Sequence, residues 1–100
     1  MLWIISRVVA PNFAENREKG LQPHREYMRS KKEILVIAGP TTSDDGTQFI
    51  GTVLIVNVNT RAEAQAFVDG DPFTKAGMFT SITITRMNMG QFNPQAAEGA

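Results

Sequence analysis

The sequence predicts a single α+β domain of β-α-β-β-α-β order, with a four-stranded antiparallel sheet carrying both helices on one face. Three observations predict it. Four short apolar runs rich in β-branched residues alternate with two stretches of helical periodicity. One hundred residues are enough for one hydrophobic core and rarely divide into two. The composition, 42% hydrophobic and 20% charged, belongs to a globular chain rather than a disordered or membrane one.

Leu2 to Val9 is apolar apart from Ser6 and Arg7, and Pro11-Asn12 closes it, as expected of a first strand. From Ala14 to Lys32 the pattern becomes helical. Arg17, Leu21, His24, Met28 and Lys31 recur every three or four residues, and Glu18, Arg25, Glu26 and Arg29 take the outer face. Pro23 lacks an N–H and clashes with the preceding turn, so a kink or a fresh helix start is expected at Gln22-Pro23. Ile34 to Ala38 reads as the second strand, broken by Gly39-Pro40. The Asp45-Gly46 step then supplies the positive φ of a hairpin turn.

Ile50 to Val58 is the third strand. Thr60 with Glu63 forms a capping box that opens a second helix through about Val68, and Asp69-Gly70 ends it. Asp71-Pro72-Phe73 can start a further helical turn, with Asp as N-cap and Pro at the first helical position. Met78 to Met87 alternates Met78, Ile82 and Ile84 against Ser81, Thr83 and Thr85, as a half-buried strand does. Residues 1–88 therefore form the domain. Residues 89–100 read as a C-terminal tail without regular structure.

Two strand–helix–strand units of this size give a ferredoxin-like sheet. In the third strand Ile50, Leu54, Val56 and Val58 point one way and Val53 and Ile55 the other, so both faces are apolar. Two helices cover only one of them, and the second face calls for a homodimer packed sheet to sheet or for a cover made by the tail around Phe92.

Ten Lys and Arg balance ten Asp and Glu, leaving no net field to draw the chain onto nucleic acid or an anionic bilayer. No cysteine is present for a thiolate or disulfide, and one histidine does not make a multi-His cluster, so no metal site is expected. The opening Met1-Leu2-Trp3-Ile4-Ile5 lacks a basic segment before it, and no apolar run approaches the ~20 residues of a membrane span. A cytoplasmic protein acting without membrane or nucleic acid is the expectation. The glycines form no phosphate-cradling motif and no serine sits in a nucleophile elbow.

His24 is the one side chain intrinsically suited to proton transfer near neutral pH, with a reference pKa of about 6.5. It lies on the inward stripe with Tyr27 nearby. Asp71 could fix its tautomer, since both helices share a face of the sheet. The strand cations Arg7 and Arg86 could face a cleft and hold an anionic substrate, but strand arginines more often extend into solvent, and Arg17 on the inward stripe is the stronger candidate.

Pro23-His24 with Tyr27, Ala38-Gly39-Pro40 with Asp45-Gly46 and Gly51, and then Ala64, Phe67, Asp71-Pro72-Phe73, Lys75-Ala76-Gly77 and Phe79 form an ordered set. This set resembles the YciI-like (YCII-related) family over most of residues 1 to 87. The resemblance implies a ferredoxin-like protomer in a dimeric α+β barrel. It also implies a cleft where the family's histidine and the aspartate of its Asp-Pro-Phe motif meet, which map onto His24 and Asp71. An arginine often precedes that histidine segment in the family, whereas Gln22 stands here, which leaves Arg17 or Arg25 to take its place.

The expectation is a small cofactor-independent enzyme. His24 and Asp71 would be catalytic, with Arg17, Tyr27 and Phe73 contacting a small aromatic or carbonyl molecule undergoing elimination or isomerisation. The alternative is a dimeric module that binds a small ligand, or is only structural, without turnover.

Overall fold

A computed structural model describes all residues, Met1–Ala100. Four strands, β1 (Leu2–Val9), β2 (Leu35–Thr42), β3 (Phe49–Asn57) and β4 (Phe79–Met87), form one antiparallel sheet in the order β2-β3-β1-β4. Helix α1 (Phe13–Ser30) joins β1 to β2. Helix α2 (Arg61–Gly70) and the single turn α3 (Pro72–Lys75) join β3 to β4. This is the ferredoxin-like order expected from the sequence.

Side-chain alternation decides what each face does. In β1, Trp3, Ile5 and Arg7 are buried on the helix side while Ile4, Ser6 and Val8 take the other. Trp3 and Ile5 join Leu54 and Val56 of β3, Ile84 of β4, and Ala64, Phe67 and Val68 of α2 in one core. The Ile, Leu, Val and Phe side chains among them each stabilise the fold by roughly 1.5–3 kcal/mol when fully buried. The core lies mainly under α2. Along α1 only Gly20 is buried, so the first helix stands off the β2–β3 half of the sheet and leaves a cleft beneath it.

Two breaks expected from the sequence do not occur. Helix α1 runs unbroken through Pro23. Lys19, Gln22 and Pro23 are exposed, so the hydrogen bond lost at the Lys19 carbonyl lies on the solvent side of the helix, while Gly20, Leu21, His24, Tyr27 and Met28 hold the other side inward. Strand β2 likewise continues through Gly39-Pro40 to Thr42, because β2 is the edge of the sheet, where a residue without an N–H can be accommodated. Gly46 turns the β2–β3 hairpin at φ 76°.

The Thr60 half of the capping box forms as expected, its hydroxyl accepting from the Glu63 amide at 3.1 Å, while the Glu63 carboxylate accepts from the amide of Asn59, one residue before the cap. Beyond β4 the tail makes one 3-10 turn at Pro94–Ala97. Phe92, 62% exposed, does not cover the open face of the sheet. No helix is long and apolar enough to cross a membrane.

Candidate active site

Three elements bring one side chain each to the inner end of the cleft. Arg7 comes from β1, with the inward parity of Trp3 and Ile5, and is only 2% exposed. His24 comes from the inward stripe of α1. Asp71, fully buried, stands at the joint where α2 ends and α3 begins. Its side chain caps α3 by accepting from the Phe73 amide at 3.0 Å, which fixes the carboxylate relative to the backbone.

The Asp71 carboxylate is engaged on both oxygens. Oδ1 lies 2.7 Å from Nδ1 of His24, and Oδ2 accepts from Nη1 of Arg7 at 2.6 Å. Arg7 is held in turn by Thr52, whose hydroxyl accepts from Nε at 2.9 Å, and by Thr74, whose hydroxyl accepts from Nη1 at 3.2 Å. Its guanidinium carbon sits 4.2 Å from the centre of the Phe79 ring. Nη2 is buried with no hydrogen-bond partner.

Burial pushes the Asp71 carboxyl upward. The hydrogen bonds from His24 and Arg7, the Arg7 charge and the Phe73 amide together outweigh it and hold the group below the ordinary carboxylate value of 3.8. Burial pulls the Arg7 guanidinium below its usual value, against the opposing pull of Asp71.

The cleft has a volume of about 310 Å³ and runs from this cluster between α1 and the β2–β3 ribbon. His24 and Phe73 form part of its wall, their rings stacked with centroids 3.8 Å apart and planes 10° apart. Gly20 makes room for this arrangement, since a Cβ there would lie 3.1 Å from the Phe73 ring. Arg17 and Arg25 also line the cleft, and neither forms an ion pair within the chain.

Of the sequence candidates, His24, Asp71 and Phe73 meet at one point and Arg17 lies along the same cleft. Tyr27 is elsewhere: its hydroxyl donates to the Phe67 carbonyl at 2.8 Å, and it does not line the cleft. Burial raises its phenol, in keeping with a hydroxyl that keeps its proton and donates to that carbonyl. Arg25, placed on the outer face by its spacing, reaches the cleft mouth.

Sequence reasoning ranked Arg7 with Arg86, as more often in solvent than facing a cleft, and missed its partnership with Asp71. Arg86 is exposed and Arg7 is not. The available signal was parity, because Arg7 continues the inward alternation of Trp3 and Ile5. Thr52 and Thr74 carried no comparable signal.

Residues 1–88 match the family model of the YCII-related domain. The chain belongs to this family. Among solved structures it is similar to a YCII-related protein of 32% sequence identity, 5-chloro-2-hydroxyhydroquinone dehydrochlorinase (TftG) from Burkholderia phenoliruptrix AC1100, in complex with 2,5-dihydroxybenzoquinone. That match has a TM-score of 0.79 and covers 90% of this chain and 96% of the other. The YCII-related fold also matches Atu4242 from Agrobacterium tumefaciens, at 18% identity and a TM-score of 0.55, covering 94% of this chain and 98% of that one. Rv0793 from Mycobacterium tuberculosis matches at 10% and 0.51, covering 90% and 97%. These two likenesses concern the fold alone. No curated protein matches the sequence.

Proposed function

We propose that this YCII-related domain is a cofactor-independent enzyme that catalyses elimination from a small ring compound carrying acidic hydroxyl or carbonyl groups. The observation that carries the reading is the Nδ1 contact of His24 with a buried carboxylate, which leaves Nε2 without a protein partner on the wall of a cleft. An imidazole held this way can take a proton at Nε2, and the carboxylate stabilises the resulting cation. The electrons of the broken C–H or O–H bond form the new double bond, and the leaving group departs with its own electron pair. Solvent then takes the proton from Nε2.

The cleft suits such a substrate. Its volume of about 310 Å³ is of single-ring size, the Phe73 and Phe49 rings line it, and Arg17 and Arg25 offer unpaired positive charge for a phenolate or enolate oxygen. The similar dehydrochlorinase, whose own complex holds a quinone, supports elimination over isomerisation.

The test is chloride release and quinone formation from chlorinated hydroxyhydroquinones by the purified chain and by His24→Asn. Turnover that His24→Asn abolishes while the fold persists is the expected result. Binding without turnover in the parent protein would replace the enzyme by a ligand-binding module.

We further infer that two copies pack open face to open face. Support comes from Ile4, Val53 and Ile55 along the middle of that face, with Val8 and Ile37 41% and 57% exposed beside them. Sedimentation at micromolar concentration should give twice the mass of one chain.

A further inference from the structure

The proton-transfer histidine of the proposed reaction leans on a carboxylate that would be unsettled by itself. Asp71 is fully buried, and a lone buried carboxyl tends to keep its proton. A protonated Asp71 could then donate to His24 and force the imidazole into the tautomer that carries its hydrogen on Nε2. Such a histidine has no lone pair facing the cleft. Arg7 stands where this outcome is prevented.

We propose that Arg7 is a positioning residue for His24: by occupying Oδ2 of Asp71 it keeps the carboxylate ionised with Oδ1 turned to Nδ1, which leaves Nε2 as the free base. This role rests on the proposed reading of His24 as the proton-transfer group. Arg7 itself is 2% exposed at the inner wall of the cleft, with Nε committed to Thr52 and Nη1 to Asp71 and Thr74, so it acts on His24 through the carboxylate.

Arg7 also sets how firmly the proton is held. With the guanidinium present, Asp71 is already half of a neutral pair, and a protonated His24 sits beside that pair rather than beside a bare negative charge. The proton is therefore returned more readily. The other charged groups near His24 do not substitute for Arg7. Arg17 and Arg25, from its own helix, line the cleft and are cationic, while β2 and β3 present Ala38, Gly39, Pro40, Thr52 and Leu54, none of them charged.

The chain has a single histidine, so imidazole nitrogen NMR reports His24 without ambiguity and without substrate. In the parent protein the neutral ring should carry its hydrogen on Nδ1. In Arg7→Met the titration midpoint should rise by about one unit or more, since an opposite charge favouring the imidazolium is no longer offset. Whichever of His24 and Asp71 holds the proton, the pair should bind it to higher pH. Arg7→Gln, whose amide can still donate to Oδ2, should show the same direction and is the variant to read if Arg7→Met does not melt cooperatively.

An Nε2–H tautomer in the parent protein overturns the proposal without any variant. So does an unchanged midpoint in a folded neutral variant. If the midpoint moves as expected but no elimination substrate is turned over, Arg7 keeps its role and the enzymatic reading falls. If turnover is found while tautomer and midpoint ignore Arg7, the reverse holds.

Discussion

Phe73 lies flat against His24, at 3.8 Å between ring centres, and so forms the wall that fixes the plane of the imidazole. The ring is 4% exposed and follows directly from the Asp71-Pro72 cap. Phe73→Leu should cost about 1–1.5 kcal/mol in urea unfolding and lower turnover more than that loss implies, because the imidazole loses its flat support. Phe73→Ala, which leaves a cavity, should cost roughly 3–5 kcal/mol.

Asp71→Asn removes the only acidic partner of a buried guanidinium. We expect a loss of about 3–5 kcal/mol, much of it the cost of leaving Arg7 charged and unpaired. Adding Arg7→Met to that variant should recover part of the stability, a non-additivity that a double-mutant cycle measures directly.

The acid limb of stability follows from the lowered Asp71 carboxyl. A carboxyl depressed in the folded state stabilises the protein fully above its unfolded value, and that contribution is lost as pH falls below 3.8 toward the folded value. Asp45, held down to about 2 by the Ser43 hydroxyl and the amide and hydroxyl of Thr47, titrates in the same range. Comparison with Asp71→Asn separates the two: urea midpoints between about pH 5 and pH 3 should fall less steeply in the variant.

Gly51 pairs with Val8 across the β1–β3 ladder, where a Cβ would come within 1.9 Å of the Arg7 carbonyl oxygen. The obstacle is backbone and cannot step aside. Gly51→Ala should therefore destabilise by more than about 3 kcal/mol and disturb the Arg7 strand first, seen as a lowered thermal midpoint with early loss of amide protection in β1.

Ile55→Lys puts a charge at the centre of the open sheet face, beside Ile4 and Ile37. Sedimentation should show a monomer that keeps its secondary structure, where the proposed face-to-face packing gives the parent protein the mass of a dimer.

The strands and helices were legible because their periods are simple: every second residue in β1 and β4, every third or fourth in α1. Pro23 and Pro40 misled for a common reason. Each is locally a breaker, and each lies where the missing hydrogen bond is not needed, on an exposed helix face and an edge strand, which only the assembled fold reveals. His24 and Asp71 could be paired from topology and family likeness. The partnership of Arg7 with Asp71 could not, since cation and carboxylate lie 64 residues apart and a strand arginine by itself reads as surface.

The carboxylate of Asp71 ties the first strand to the first helix through residues 64 and 47 positions away in the chain. Nothing short of the complete fold brings those three segments together. A chain emerging during synthesis thus carries an unaided imidazole until Asp71 has docked, and the proton transfer proposed for His24 would need the assembled fold. On that proposal partly folded molecules are inert, and any active material should be the native population.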